Sequence, residues 1–274
     1  MKRTSSSGRK RRAPGEQIFE HPRLYDLAFG FRNVKAQCDG ILALARRYGV
    51  ESPTSVVELA CGPANHLREL ARRGLRAYGV DNNREMLAYA AALAKRDGVA
   101  LHFVRADIRT FRLPKRVDFG MCLFDSFCHC ASDEDAIATL RAAGAAIRSG
   151  GLLILELTHP ADFFGKEPKR AVSRWTQTYE DVVVTTHLAH TRSDPISETH
   201  VPSLTIDARY RDGRPPKKIV DQLFYRMWLP SGIRHVARAS GCFEAVGWHG
   251  DINPAVPLNM SDEAWQMVVV LRRH

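Results

Sequence analysis

Apolar residues fall at three- and four-residue steps along Val34, Cys38, Ile41, Leu42, Ala45 and Tyr48, and this spacing predicts helix through Ile18–Tyr48. The stretch from Gly49 to Thr54, with Pro53, ends that segment. The period then switches. Short β-branched runs alternate with helical stripes: strand Ser55–Ala60, helix His66–Arg73, strand Arg76–Asp81, helix Arg84–Lys95 and strand Ala100–Ala106. Strand Val117–Leu123, helix Asp133–Arg148 and strand Leu152–Leu157 follow. Ile137, Leu140, Ala143, Ala145 and Ile147 form the clearest helical stripe, which Gly150-Gly151 is expected to close. Strands and helices alternating at this rhythm imply an α/β fold, a doubly wound parallel sheet with helices on both faces.

After Leu157 the texture changes. Residues 172–190, 196–211 and 217–228 are rich in Val, Thr, Tyr and Ile with a rough two-residue alternation, separated by Asp194-Pro195 and by Gly213-Arg214-Pro215-Pro216. They predict an antiparallel β unit inserted before the sheet is completed. Helix Ile233–Ser240 and strands Phe243–Trp248 and Trp265–Leu271 then resume the earlier pattern. The chain thus divides into a tail (1–15), N-terminal helices (16–54), a core (55–157 and 229–274) and an insertion (158–228) acting as lid or oligomer contact. Trp175, Tyr179, Tyr210, Phe224, Tyr225 and Trp228 are expected to build the insertion, some lining an apolar pocket.

Candidate chemistry clusters at the ends of the predicted strands. In Val56-Val57-Glu58-Leu59-Ala60-Cys61-Gly62-Pro63-Ala64-Asn65-His66, a strand passes through small residues into a helix, which brings backbone close to a ligand. Glu58, Asp81 and Asp107 each stand at or just past a strand end on one sheet edge, so they are expected to surround one crevice. Asp81 suits a carboxylate accepting from two ribose hydroxyls, and Asp107 with Ile108 suits an adenine. Met86 and Phe124 offer apolar faces for a base. A dinucleotide turn reads G-x-G-x-x-G; here the first and last glycines are missing, and Pro63 removes an N–H that a pyrophosphate would need.

Glu58-Leu59-Ala60-Cys61-Gly62, Gly79-Val80-Asp81, Ala106-Asp107-Ile108 and Gly150-Gly151-Leu152 resemble the successive motifs of class I S-adenosylmethionine-dependent methyltransferases. The resemblance covers residues 55–157 and, by layout, the flanks. It implies a Rossmann-like, seven-stranded methyltransferase sheet with an antiparallel last strand, S-adenosylmethionine as cofactor, and a small-molecule acceptor methylated at nitrogen or oxygen. The layout is similar to enzymes acting on glycine, sarcosine and amino sugars. Residue by residue, it implies that backbone of Ala60, Cys61 and Gly62 meets the methionine part, Asp81 the ribose, and Asp107 and Ile108 the adenine, with Asn82 and Met86 also binding the cofactor. Leu123 and Phe124 would flank the transfer site, while Tyr25 and Arg32 would close over the cofactor, Arg32 pairing its carboxylate. Ala64 stands where the family often has a glycine, so its backbone is expected to carry a strained φ.

For proton removal the candidates are Asp125 and His129, after the fourth strand, and His159, after the fifth. A lone histidine is more often a hydrogen-bonded structural residue than a base. Cys128 and Cys130 have no second pair at zinc-site spacing, so no metal is expected and the six cysteines read as reduced thiols of a cytoplasmic protein.

Net charge alters the picture little. Residues 1–15 hold six of the 40 Lys+Arg and no acid; without them 34 basic residues face 30 acidic ones, a net +4. The tail is expected to be disordered, and its Arg11-Arg12 pair lacks the apolar segment of an export signal. No apolar run approaches a membrane span. Two other readings stay open: an RNA methyltransferase, motivated by the basic tail, and a non-catalytic S-adenosylmethionine-binding protein, permitted by Ala60 and Ala64; with no recognisable RNA-binding module and a nearly charge-balanced body, a nucleic-acid partner is not expected.

Overall fold

The computed structural model describes residues 17–163 and 172–274. The basic tail lies outside the described residues. A 3₁₀ turn (Gln17–Glu20) and helices α1 (Pro22–Ala28) and α2 (Val34–Arg47) precede β1 (Ser55–Leu59). The chain continues through α3 (Asn65–Arg72), β2 (Arg76–Asp81), α4 (Arg84–Arg96), β3 (Leu101–Arg105) and β4 (Val117–Cys122). A second 3₁₀ turn (Ser126–His129), α5 (Asp133–Ala146) and β5 (Ile147–Thr158) follow. Strands β6 (Val172–Thr178), β7 (Val182–Asp194), β8 (Thr199–Tyr210), β9 (Lys217–Gln222) and β10 (Tyr225–Arg226) form a separate antiparallel sheet. Helix α6 (Pro230–Ser240), β11 (Phe243–His249) and β12 (Gln266–Arg273) complete the chain.

The first sheet has seven strands in the order β11-β12-β5-β4-β1-β2-β3. β1 pairs in parallel with β2 and β4, and β12 runs antiparallel to both β5 and β11. Alternation along β12 explains why both faces are covered. Met267, Val269 and Leu271 enter one core with α5 and α6, while Val268 and Val270 enter the other with α2 and α3. A third core seats the second sheet on α1 and the first 3₁₀ turn, through Leu24, Ala28, Val184, Ile206 and Ile219 among others. No helix among the described residues is long and apolar enough to cross a membrane.

Three details differ from the pattern-based expectations. The helix expected over Ile18–Tyr48 is broken twice: Pro22 sits at the start of α1, and Asn33 caps α2 by accepting from the Ala36 N–H at 3.1 Å. Gly30 lies between them, where an added Cβ would come within 2.4 Å of the Tyr179 hydroxyl. Helix α5 ends at Ala146, before Gly150-Gly151, because Ile147 is already extended and pairs with Val117. The glycines instead occupy an irregularity in β5, Gly150 with φ +73° and Gly151 where a Cβ would meet the Asp118 carbonyl oxygen at 2.5 Å. The first segment of the insertion, 172–190, is two strands, turned back where the Tyr179 N–H donates to the Val182 carbonyl at 2.9 Å.

Candidate active site

The carboxyl ends of β1, β2 and β4 open on a cavity of ≈ 490 Å³. Its floor is the turn between β1 and α3. Ala60, Gly62 and Ala64 all take left-handed backbone, with φ of +51°, +51° and +57°. Glycine adopts this freely, whereas each alanine costs roughly 1–2 kcal/mol. The turn is fastened to the end of β2: the Cys61 N–H donates to the Val80 carbonyl at 3.0 Å and the Gly62 N–H to Asp81 Oδ2 at 3.0 Å. An added Cβ on Gly62 would meet only Tyr25, at 4.0 Å, so bare backbone is presented beneath that ring.

Asp81 also accepts from the Asn83 N–H at 2.9 Å, and burial pushes its carboxyl up despite these donors. Asp107, on the loop after β3, accepts from the Arg109 N–H (2.8 Å), Nε (2.9 Å) and Nη2 (2.6 Å). This guanidinium holds its carboxyl below the usual range. Arg109 was not singled out from sequence; its signal was an arginine two residues after an aspartate that follows a strand. Asn83 caps α4 and reaches back to the Phe19 carbonyl at 3.0 Å, which fixes the first 3₁₀ turn over the cavity. Asp26 fixes α1 by accepting from Asn65 Nδ2 (2.7 Å) and the Tyr89 hydroxyl (3.0 Å).

Ten of the candidate cofactor-binding and proton-removing residues line this cavity. Ala60, Gly62, Asp81, Asn82, Met86, Asp107 and Ile108 come from the strand ends and α4, Tyr25 from α1, and Phe124 and His129 from the segment after β4. His129 exposes its ring into the cavity although protein encloses it, and that burial lowers its pKa. Its ring meets Phe19 at 6.1 Å and Tyr225 at 5.0 Å between centroids. Burial drives the Tyr225 phenol well above its ordinary pKa, so this ring is a neutral wall.

Five others stand outside the lining. Cys61 turns its thiol towards Gly79, and Leu123 packs in the same core. Arg32 pairs with Glu156 and lies 4.3 Å over the Phe124 ring. Asp125 accepts from the Thr158 N–H, and burial pushes its carboxyl up to about 6. His159 accepts at Nδ1 from the Ala161 N–H (3.1 Å) and donates from Nε2 to the Asn259 carbonyl (3.0 Å), beside a separate small pocket. Both its nitrogens are engaged, which fixes its tautomer and leaves no proton acceptor.

Glu58 lies beneath the turn, buried, its Oε2 without a hydrogen-bond partner among the described residues. Burial raises its pKa well above the carboxylate range and lowers that of neighbouring His66 to about 3. The two are 3.7 Å apart, longer than a hydrogen bond, and burial drives each towards its neutral form.

Comparison with known proteins bears on this geometry. A family described as a methyltransferase domain matches residues 56–151. The dTDP-3-amino-3,6-dideoxy-alpha-D-glucopyranose N,N-dimethyltransferase of Streptomyces fradiae is 28% identical over 135 residues, covering 48% of this chain and 51% of that one. The glycine/sarcosine N-methyltransferase of Aphanothece halophytica is 34% identical over 103 residues, covering 37% of this chain and 39% of that one. The matched part thus spans about half or less of these curated relatives. Among solved structures, an S-adenosylmethionine-dependent methyltransferase from Clostridium acetobutylicum has a TM-score of 0.74 at 15% identity, covering 93% of this chain and 98% of that one. The sugar N-methyltransferase KedS8 from Streptoalloteichus has a TM-score of 0.72 at 18% identity, covering 100% and 99%. Residues 56–151 thus match a methyltransferase domain, and the strand order and the β1–α3 turn fastened to Asp81 give the chain the fold of S-adenosylmethionine-dependent methyltransferases of known structure.

Proposed function

We propose that this protein transfers a methyl group from S-adenosylmethionine to the nitrogen of a small-molecule amine. The observation that carries the reading is the single cavity in which Gly62 backbone, Asp81 and Asp107 stand with His129 and the rings of the second sheet. The N-methyltransferase relatives support nitrogen over oxygen.

The residues present fit the cofactor. The backbone at Gly62 is bare towards the cavity, as close approach of a methionine chain requires. Asp81, with Asn82, would hold the ribose; Asp107 and Ile108 would meet the adenine, and Met86 would pack on it. Asp107 spends lone pairs on Arg109, which orients the carboxylate while leaving capacity for an exocyclic amine. When bound, S-adenosylmethionine supplies a methyl group on a sulfonium, which becomes a neutral thioether once the acceptor nitrogen has taken the methyl.

The protein's own work is alignment, exclusion of water and removal of a proton. Holding two reactants in line contributes on the order of 7–11 kcal/mol in favourable cases. Phe29 and Phe124, 4.8 Å apart, and Tyr25 wall the site with rings and keep it dry. His129 is neutral at pH 7 and takes the proton released from the acceptor nitrogen onto its ring. Leu204, Leu223 and Tyr225 bring the insertion to the cavity, so we read it as lid as well as wall. Cytoplasmic residence and self-association through the second sheet, whose edge strand β9 carries exposed Val220, belong to the same proposal.

The test is a transfer assay with methyl-labelled S-adenosylmethionine over a panel of amines, phenols and carboxylates. Label on an amine, with S-adenosylhomocysteine formed in equal amount, supports the reading. Label confined to phenols or carboxylates would refute the choice of nitrogen, and no turnover of any acceptor despite cofactor binding would favour a non-catalytic role.

A further inference from the structure

Six side chains make an unbroken run of ring contacts around the cavity. Tyr225 meets His129 at 5.0 Å and His129 meets Phe19 at 6.1 Å. Phe19 meets Tyr25 at 5.6 Å, Tyr25 meets Phe29 at 5.0 Å, and Phe29 meets Phe124 at 4.8 Å. All six line the cavity, and they come from both 3₁₀ turns, α1, its C-cap, the end of β4 and β10. Such convergence of distant segments is a built surface. Beside it Phe224 is 51 % exposed and still part of the lining, an aromatic ring left half in water at the mouth.

The charges point the same way. Among the described residues that line the cavity, Arg109 carries the guanidinium, and it is held by Asp107 and by Asp135 at 2.7 Å. An acceptor bearing a carboxylate or a diphosphate gives up strong hydration on entering and needs charged donors in exchange. The wall formed by Phe19, Phe29, Tyr225, Leu204 and Leu223 offers ring faces, ring edges and methyl groups. These suit an apolar body, and the faces also attract an incoming ammonium.

We propose that the acceptor is an amine carried on an apolar, ring-containing body, inserted among Phe19, Phe29, His129 and Tyr225 with Phe224 at its entrance. This rests on the methyl-transfer reading above and narrows its substrate class away from amino acids and nucleotide-linked sugars. Phe224 becomes a specificity-determining residue, closing on the body of the acceptor without touching the cofactor.

The experiment uses the full chain loaded with S-adenosylhomocysteine. 2-Phenylethylamine, glycine and a dTDP-linked amino sugar are titrated into it by calorimetry, and the same three are offered in the labelled-methyl assay. 2-Phenylethylamine should bind the loaded protein and exceed the other two in kcat/KM by about tenfold or more, the scale of one buried ring. Phe224→Ala should raise the KM for 2-phenylethylamine about tenfold and leave S-adenosylhomocysteine affinity within about twofold. Because Phe224 is half exposed, the variant should fold as the parent does. Preference for glycine or the nucleotide sugar, or no binding of 2-phenylethylamine to the loaded protein, overturns the acceptor class and spares the methyl-transfer reading. Failure to bind S-adenosylhomocysteine at all overturns both.

Discussion

The guanidinium of Arg32 and the carboxylate of Glu156 are paired in the interior, their side chains 9% and 3% exposed, with the Phe124 ring stacked 4.3 Å beneath the guanidinium. Glu156 also accepts from the Phe124 N–H at 3.1 Å and from the Gln266 amide. The pair therefore sets the backbone at the end of β4, on which the cavity wall depends. Removing one partner leaves a buried charge uncompensated, which costs about 3–5 kcal/mol. Arg32→Met should lower the unfolding free energy by that amount in urea titrations, and Arg32→Met with Glu156→Gln should recover more than half. Equal losses in the single and double variants would mean that the pair does not act as a unit.

Ala64 tests the strain in the β1–α3 turn. Its φ of +57° disfavours alanine, yet its methyl is fully buried. Ala64→Gly gains about 1 kcal/mol of strain relief and loses a similar amount in methyl burial and backbone entropy. Its stability should stay within about 1 kcal/mol of the parent. Ala64→Val adds a β-branch to left-handed backbone in a filled core and should cost more than about 3 kcal/mol. Thermal unfolding of the two variants separates these outcomes.

Much of this turn was legible in the sequence, because its determinants are local: small residues after a β-branched strand, an acid at the end of β2, and an alanine where a glycine is usual. The parallel part of the first sheet was legible for the same reason, since strand and helix periods alternate cleanly from Ser55 to Leu157, whereas its seven strands and antiparallel end were implied by the resemblance. The acceptor wall was not. Tyr225 reaches His129 only because β10 pairs with the start of β8, a register that no local pattern encodes. The break at Gly30 lies just before the apolar stripe that begins at Val34, so the stripe did not mark it, and the turn at Glu180-Asp181 lacks the glycine or proline that usually marks one. Arg32 was assigned to the cofactor by resemblance alone, whereas its contact with Glu156 depends on packing between α2's approach and β5.

Asp118 sets an acid limit to stability. It accepts from the Thr54 and Ser55 N–H groups at 2.8 and 3.0 Å and from Arg148 Nε at 2.8 Å, tying the start of β1 to β4. Burial alone would raise its pKa, but these donors outweigh it and hold the carboxyl at about 2, against 3.8 when unfolded. A depressed folded pKa stabilises above the unfolded value and is lost as pH falls, here from about pH 4 down through 2. The loss should be on the order of 2 kcal/mol, absent in Asp118→Asn. Urea midpoints of both proteins between pH 5 and 2 measure it; parallel curves would exclude Asp118 as the source.

The proton-accepting role proposed for His129 predicts a pH dependence of transfer. Burial lowers its pKa below 6.5, so the base form prevails at neutral pH and activity should fall only on the acidic side of 6.5. His129→Gln should remove that limb and lower kcat by about 10²–10⁴, with cofactor affinity unchanged. An unaltered pH profile in the variant would assign proton removal elsewhere.

Asp81 accepts from the Gly62 N–H at 3.0 Å at the end of β2, where the proposed cofactor placement puts the ribose. The most direct measurement is calorimetric titration of S-adenosylmethionine into the parent protein and into Asp81→Ala. Loss of a buried charged acceptor for two hydroxyls should weaken binding by more than about 100-fold. Tight binding to the parent with none measurable in the variant is the expected result; equal affinity in both would contradict this placement of the cofactor.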